Sequence, residues 1–406
     1  MRILNIVPQA FYTARGTPLS AYHRARELMT RGHEVHILTY AVGGDPPANF
    51  SGRVIRAKGP HFKRTIRPGP SLLKIWFDLL LFFNLLVHLG RERYDVLYAH
   101  EEGALLARFA GALFRVPYIY EMHSSLPLQI TDWKFSTSAS IIAAFRWVER
   151  LSVRGACAVV AISPAVARAA HNASPDTPCV LLANHFEVDE PVFREEVEAI
   201  GPRYGIPVGH KLVVYTGSFV ALQALDLLLD AVPAVLESVP NTTFLLVGGS
   251  DPEIAALRGQ AARLGITANV VFERSLPQSA IPAYLAAAAV LVSPRVQGIN
   301  SPGKLLNYLA SRRPVVATDT LVHNQLLTQR SAILTPPTAA GLAAGLVTAL
   351  TDPARVAEVV AGASKVLCHY SSKATRDTAY ETILDAARVA VLARDRRRKS
   401  AADRGT

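Results

Sequence analysis

The sequence predicts an α/β fold with two doubly wound parallel sheets, and three observations lead there. Short apolar runs of strand length alternate with helical segments, the pattern of parallel strands joined by crossover helices. That alternation occurs twice, before and after a Pro/Glu-rich stretch over 187–207 that is poor in apolar residues. Finally, 406 residues, 50% of them hydrophobic, suffice for two cores of about 200 residues each.

In the first series Ile3–Val7 reads as a buried strand and 9–17 as a polar loop. Pro18 opens a helix through Arg31, ended by Gly32. Glu34–Tyr40, Val96–Ala99, Tyr118–Glu121 and Ala158–Ile162 follow as strands, with helices between them. The second series runs through Leu212–Thr216, Thr243–Val247, Val270–Phe272, Val290–Val292 and Val315–Thr318. The expected division is 1–195, 196–370, a helix over 371–392, and a basic tail over 393–406 too charged to bury and expected to be disordered.

The formal charge of +11 is uneven: +6 over 1–195, zero over 196–387 and +5 over 388–406. A basic first half suits an anionic partner, membrane or nucleic acid, or is simply a solvated face. Nucleic acid is not expected, because no binding motif or aromatic-basic interleaving accompanies the charge. Cys157, Cys179 and Cys368 lie far apart without C-x-x-C spacing, so neither a zinc site nor a disulfide framework is indicated. The apolar run Ile3–Val7 is too short for a signal-peptide core, and the expected setting is cytoplasmic.

Residues 53–89 bear on the partner. Arg53, Arg56, Lys58, Lys63, Arg64 and Arg67 occur without an intervening acid, and an apolar helix from Leu72 to Leu89 follows. At about 100° per residue, Lys74, Asp78, Asn84 and His88 fall within an arc of roughly 120°. A spanning helix is not expected with so many polar interruptions. The expectation is a domain helix buried on most sides. The alternative is a surface helix dipping into a headgroup region.

The most informative stretch is 293–319. A strand enters a loop holding Arg295, Gly298, Asn300, Ser301 and Pro302, then a short helix from Lys304 to Ala310, then a strand from Pro314 to Thr318. Polar loop residues at the carboxyl end of a buried strand are where open α/β sheets hold ligands. Lys304 adds a full positive charge there.

This stretch resembles the donor-binding signature of family 4 glycosyltransferases, retaining enzymes of the GT-B fold, and in particular a bacterial subgroup. The resemblance is carried by Ser293, Pro294, Arg295, Gly298, Asn300, Pro302, Lys304, Tyr308, Leu309, Ala310, Ser311, Pro314, Val316, Ala317 and Thr318. It implies two Rossmann-like domains facing across a cleft, the final helix returning to the first. It also implies metal-independent transfer, without a cofactor, from a nucleotide-diphosphate sugar. The acceptor would be a glycan or polyprenyl-linked glycan of bacterial surface polysaccharide or lipopolysaccharide assembly, made in the cytoplasm at the inner face of the cell membrane, with peripheral association to an anionic surface. The other reading is a GT-B protein that does not transfer: a nucleotide-sugar epimerase or an inactive partner subunit.

The resemblance also names site residues. Gly16 and Thr17, in the loop after the first strand, would lie over the donor diphosphate. His123, at the end of the strand Tyr118–Glu121, would face the transferred sugar, with His100, Glu101 and Ser124 as an acceptor-side wall. Gly217, Gly248 and Arg274 would lie near the nucleotide, and Asn300 and Ser301 in the donor loop. Departures are equally specific. Where the family has an arginine and a lysine after the first strand of the second half, this chain has Ser218 and Gln223. The glutamate that holds the donor ribose becomes Asn307, and the glycine before the Pro-Val strand becomes Arg312. With both usual cations gone, Arg295 and Lys304 are the expected neutralisers of the leaving diphosphate.

Overall fold

The computed structural model describes residues 1–13, 16–59, 71–127, 138–184, 192–298 and 301–402. It divides into two units, Met1–Ala183 with Lys373–Thr406, and Asn184–Ser372. The change of unit falls twelve residues before the expected boundary at 195/196, ahead of the helix Arg194–Glu198.

The first unit is a seven-stranded parallel sheet in the order β3-β2-β1-β4-β5-β6-β7. Its strands are β1 Arg2–Val7, β2 Glu34–Thr39, β3 Arg53–Arg56, β4 Val96–His100, β5 Tyr118–Met122, β6 Ala158–Ala161 and β7 Cys179–Leu181. Alternation along β1 shows both faces covered. Leu4 and Ile6 join a core with the helices Leu72–Arg91, Gly103–Phe114, Ala139–Gly155 and Pro164–Ala173. Ile3 and Val7 join another with the helices Gly16–Thr30 and Lys373–Ala402. Burial on both faces is why these strands read as continuous apolar runs.

The second unit is a six-stranded parallel sheet in the order β10-β9-β8-β11-β12-β13. It comprises β8 Lys211–Thr216, β9 Thr242–Gly249, β10 Val270–Arg274, β11 Val290–Ser293, β12 Val315–Thr318 and β13 Ile333–Thr335. The chain reverses its strand order between β1 and β4 in one sheet and between β8 and β11 in the other. Loops at the carboxyl ends diverge at those points and leave room for a ligand.

Three expectations are corrected. The C-terminal helix runs from Lys373 through Ala402, well past the expected end at 392. Its basic stretch is anchored: Arg394 Nη1 donates to the carbonyls of Tyr94 and Asp95 at 3.4 and 3.3 Å, and Arg398 Nη2 to that of Phe114 at 3.0 Å. Next, Arg53 and Arg56 form an edge strand and are engaged within the protein. Arg53 Nη1 lies 2.9 Å from Glu92 Oε1, and Arg56 Nη1 donates to the Val42 carbonyl at 3.0 Å. Lys63, Arg64 and Arg67 lie outside the described residues.

The third correction concerns the helix Leu72–Arg91, which is not buried on most sides. Phe77, Leu81, Leu85 and Leu89 face the core. The polar arc also turns inward. Lys74 pairs with Glu102 and Asp78, Asp78 accepts from the Tyr40 hydroxyl, and Asn84 bonds both backbone groups of Lys58. Leu72, Ile75, Leu79, Phe83 and Val87 are left exposed, Leu72 at 87% and Phe83 at 61%.

The helix Lys304–Ala310 ends at Ser311, and Arg312 follows with φ of 57°. This is the left-handed conformation that commonly terminates a helix and favours glycine. An exposed arginine there carries the steric cost without a packing return. Arg312→Gly is expected to stabilise the second unit by about 1 kcal/mol. The check is a higher urea midpoint at unchanged slope; an equal or lower midpoint refutes it.

Candidate active site

In the first unit β4 and β5 deliver His100, Glu121 and His123 to the carboxyl edge of the sheet. All three are buried, and His100 and Glu121 are register partners. His123 Nε2 lies 3.2 Å from Glu121 Oε1 and 3.3 Å from His100 Nδ1. Glu121 also accepts from Ser20 Oγ at 3.0 Å and Tyr98 Oη at 2.6 Å, and Arg24 Nε lies 3.2 Å from each of its oxygens. Burial pushes the Glu121 carboxyl up, but the Arg24 guanidinium and the imidazoles outweigh it and hold it well below the usual carboxylate range. Burial holds His100 down to about 3. Beside them Glu101, at a φ of 49°, accepts from Ser124 Oγ at 3.1 Å, and burial raises its carboxyl above the ordinary value.

One ligand atom from each of His100, Glu121 and His123 lies within 4.8 Å of the others, a spacing that suits a metal ion. The donor set does not. Glu121 is already saturated by hydrogen-bond donors, and the Arg24 guanidinium occupies the electrostatic position a cation would take.

In the second unit β8 and β11 flank the switch point. The loop after β8 carries Gly217 at φ of 137°, and the carboxyl end of β9 carries Gly248 at φ of 126°. A Cβ on Gly248 would fall 2.1 Å from the Gly217 carbonyl oxygen, so the two backbones touch only because Gly248 lacks a side chain. Lys304 reaches into this corner from its helix. Its Nζ sits 3.6 Å above the centre of the Tyr215 ring and donates to Gln223 Oε1 at 3.3 Å. Burial, then the neighbouring charge of Arg295, holds the Lys304 ammonium well below the ordinary lysine value. Tyr308 ties the corner together, its Oη accepting from the Thr216 amide at 2.7 Å. Arg295 is buried, and its Nε donates to the Gln297 carbonyl at 2.8 Å.

The expected residues thus form two groups. His100, Glu101, His123 and Ser124 come together in the first unit. Gly217, Ser218, Gln223, Gly248, Arg295 and Lys304 come together in the second. Gly16 and Thr17 open the helix Gly16–Thr30, and a Cβ at Gly16 meets nothing within 4 Å, so packing does not demand glycine there. Ser301 Oγ is spent on the Val322 carbonyl at 3.0 Å, and Arg274 on Asp251 at 2.6 and 3.0 Å. Asn307 is half-buried, and Asn300 lies outside the described residues. Sequence reasoning missed Arg24, Tyr98, Glu121 and Tyr215 as members of these groups. Glu121 had a signal: a charge inside a strand buried on both faces must be paired.

Two family models match the chain: Glycosyltransferase Family 4 over residues 14–189, and Glycosyl transferases group 1 over residues 210–352. The chain is a family 4 glycosyltransferase. It is 26% identical over 388 residues to a phosphatidyl-myo-inositol mannosyltransferase of Mycobacterium tuberculosis, covering 90% of this chain and 92% of the relative. A 2-deoxystreptamine glucosyltransferase of Streptomyces kanamyceticus is 27% identical over 83% of this chain and 90% of its own. HepE of Anabaena, in complex with UDP and glucose, superposes with a TM-score of 0.72 at 18% identity, covering 94% of this chain and 98% of that one. WaaG, a glycosyltransferase involved in lipopolysaccharide biosynthesis, gives 0.69 at 16% identity over 94% and 98%. The glycosyltransferase therefore has the GT-B fold of two Rossmann-like domains and moves a sugar to an acceptor.

Two buried histidines give this glycosyltransferase a defined acid sensitivity. His100 is held to about 3 and His323, bonded to Ser293 and the Thr318 carbonyl, to about 4, against an ordinary 6.5. Between those values the unfolded chain binds protons that the folded chain cannot. Stability is therefore complete above 6.5 and lost as pH falls, each histidine contributing up to about 1.4 kcal/mol per pH unit. Glu121 acts in the same direction below its ordinary value of 4.5. Urea unfolding between about pH 7 and about pH 5 is expected to show this slope. His100→Gln should flatten it, and a slope unaltered in that variant would exclude His100 as a source.

Proposed function

We propose that this glycosyltransferase moves a sugar, with retention of configuration, from a nucleotide-diphosphate sugar to a glycan or lipid-linked acceptor of bacterial surface-polysaccharide assembly, at the inner face of the cell membrane and without a metal. The observation that carries the donor half is the pairing of Arg295 and Lys304 at the β8/β11 switch point. A leaving nucleoside diphosphate carries about two to three negative charges and needs cations aimed at it. The loop after β8 supplies neither of the family's usual charges, but Gln223 holds the Lys304 ammonium beside Gly217. The missing charge is thus delivered from a different element to the same corner. An arriving diphosphate also favours the charged form that burial and Arg295 disfavour.

Retention follows from front-face attack, in which the leaving diphosphate accepts the acceptor's proton as its bond to the sugar breaks. The protein's part is positioning and charge stabilisation. His123 faces the transferred sugar, with Glu101, Ser124 and His100 on the acceptor side. Relatives named for phosphatidylinositol acceptors and for lipopolysaccharide biosynthesis favour a lipid-linked substrate.

The first test is a thermal-shift screen of nucleotide sugars followed by a transfer assay with the stabilising donor. Lys304→Met should raise the donor KM and lower kcat by about tenfold or more. Kinetics equal to wild type would exclude Lys304 from the donor site.

Membrane association rests on the helix Leu72–Arg91, the one described helix long and apolar enough to cross a membrane, with a mean hydropathy of 1.8. Its ties to Tyr40, Glu102 and Lys58 hold it against the first unit, so it lies on the surface with its apolar side outward. Phe109, Leu113 and Trp147 add exposed apolar surface on the helices Gly103–Phe114 and Ala139–Gly155. Arg146, Arg150 and Arg154 supply exposed positive charge at helical spacing. That combination suits an anionic bilayer surface. The protein is expected to co-sediment with vesicles containing phosphatidylglycerol and much less with phosphatidylcholine alone. Leu79→Ser with Phe83→Ser should abolish sedimentation while leaving the nucleotide-induced thermal shift intact; undiminished sedimentation of that variant refutes the surface.

A further inference from the structure

We propose that Glu121, paired with Arg24, is a positioning residue that fixes the ring proton on Nε2 of both active-site histidines and thereby makes His100 Nε2 the ring atom offered. Its effect on rate rests on the transfer reading above; the proton assignment does not. A charged carboxylate can only accept. Ser20, Tyr98 and Arg24 donate to it, and Arg24 is locked in turn by the Leu182 carbonyl at 2.6 Å and Tyr380 Oη at 3.5 Å. His123 Nε2, 3.2 Å from Oε1, must therefore carry its ring proton.

That assignment forces the next. His123 Nε2 also lies 3.3 Å from His100 Nδ1, and two protonated nitrogens cannot share that contact. His100 Nδ1 is therefore bare, and the proton of this neutral ring sits on Nε2. Consistent with that, His100 Nε2 is a buried atom without a hydrogen-bond partner among the described residues, the mark of a donor set aside for a group from outside the chain. The arrangement is that of a histidine oriented by a buried carboxylate.

The groups facing this cluster come from every element around it. Ser20 and Arg24 lie on the helix Gly16–Thr30, Tyr98 and His100 on β4, and Glu121 on β5. Glu101 is in the loop after β4, and Tyr380 is on the C-terminal helix. Tyr380 brings in the far end of the sequence, and Asp377 one turn earlier pairs with Arg31 of the first helix.

The test needs no variant to begin. Nitrogen-15 histidine spectra of the full chain, assigned through His100→Gln, are expected to show both rings with the proton on Nε2, and His100 in that form from about pH 8 to about pH 5. A His100 proton on Nδ1, or a His100 imidazolium near neutrality, overturns the proposal. Glu121→Gln then reads the consequence. An amide can donate as well as accept, so the His123 tautomer should become mixed. The kcat should drop at least about tenfold while donor KM stays within about twofold. Unchanged tautomers in that variant, or a parallel loss of kcat and of the nucleotide-induced thermal shift, would show a merely structural role and overturn the proposal. If Glu121→Gln does not fold, the wild-type spectra still decide. If the wild type turns over no donor, the transfer reading fails separately, and the spectra still decide the proton assignment.

Discussion

A strand buried on both faces has no solvent for a charge, and Glu121 sits at the end of one. Its carboxylate survives there because Arg24 and Ser20 from one helix and Tyr98 from β4 converge on it. Breaking such a pair on one side typically costs about 3–5 kcal/mol, whereas keeping it contributes little net stability. What the cluster contributes is order: with both oxygens of Glu121 committed, His100 at the end of β4 and His123 just after β5 are held in one arrangement. The first unit therefore spends buried polar interactions on geometry at the sheet edge where its strand order reverses.

The second unit solves a related problem in a different way. It also reverses strand order, between β8 and β11, but its polar corner is built by close backbone approach and an aromatic floor. Gly217 and Gly248 have touching backbones, Tyr215 lies beneath Lys304, and Tyr308 pins the Thr216 amide. A lysine above a tyrosine face keeps some stabilisation of its charge despite desolvation. Burial first, and the charge of Arg295 second, disfavour the Lys304 ammonium, and an anion brought into the corner would favour it again.

Much of this was legible in the chain. Interior strands announced themselves because burial on both faces leaves continuous apolar runs, and the loop after β11 announced itself by a dense motif. The edge strands β3, β7 and β13 did not: they are three or four residues long, and β3 begins and ends with arginine. The departures at Ser218 and Gln223 were visible, but that Gln223 would hold Lys304 was not, because the two are 81 positions apart in the sequence. Arg312 shows the limit from the other side. A missing family glycine was noted by pattern, while the left-handed backbone that explains the glycine belongs to the folded helix end.

The helix Leu72–Arg91 shows why periodicity gives a face but not its direction. Four polar residues on one arc read naturally as the solvent side of a helix buried elsewhere. In the protein that arc is satisfied inward, by Tyr40, Glu102 and Lys58, and apolar side chains face out. Exposed apolar surface forgoes roughly 25 cal/mol per Å² that burial would supply. The inward polar contacts do not recover this, since partly exposed ion pairs return about 1 kcal/mol or less. Burial of Phe77, Leu81, Leu85 and Leu89 in the core fixes which face turns inward, and it leaves Leu72, Ile75, Leu79, Phe83 and Val87 uncovered by the first unit. That uncovered face is what the membrane proposal has to account for, since apolar surface left in water forgoes the stabilisation that a headgroup region would return.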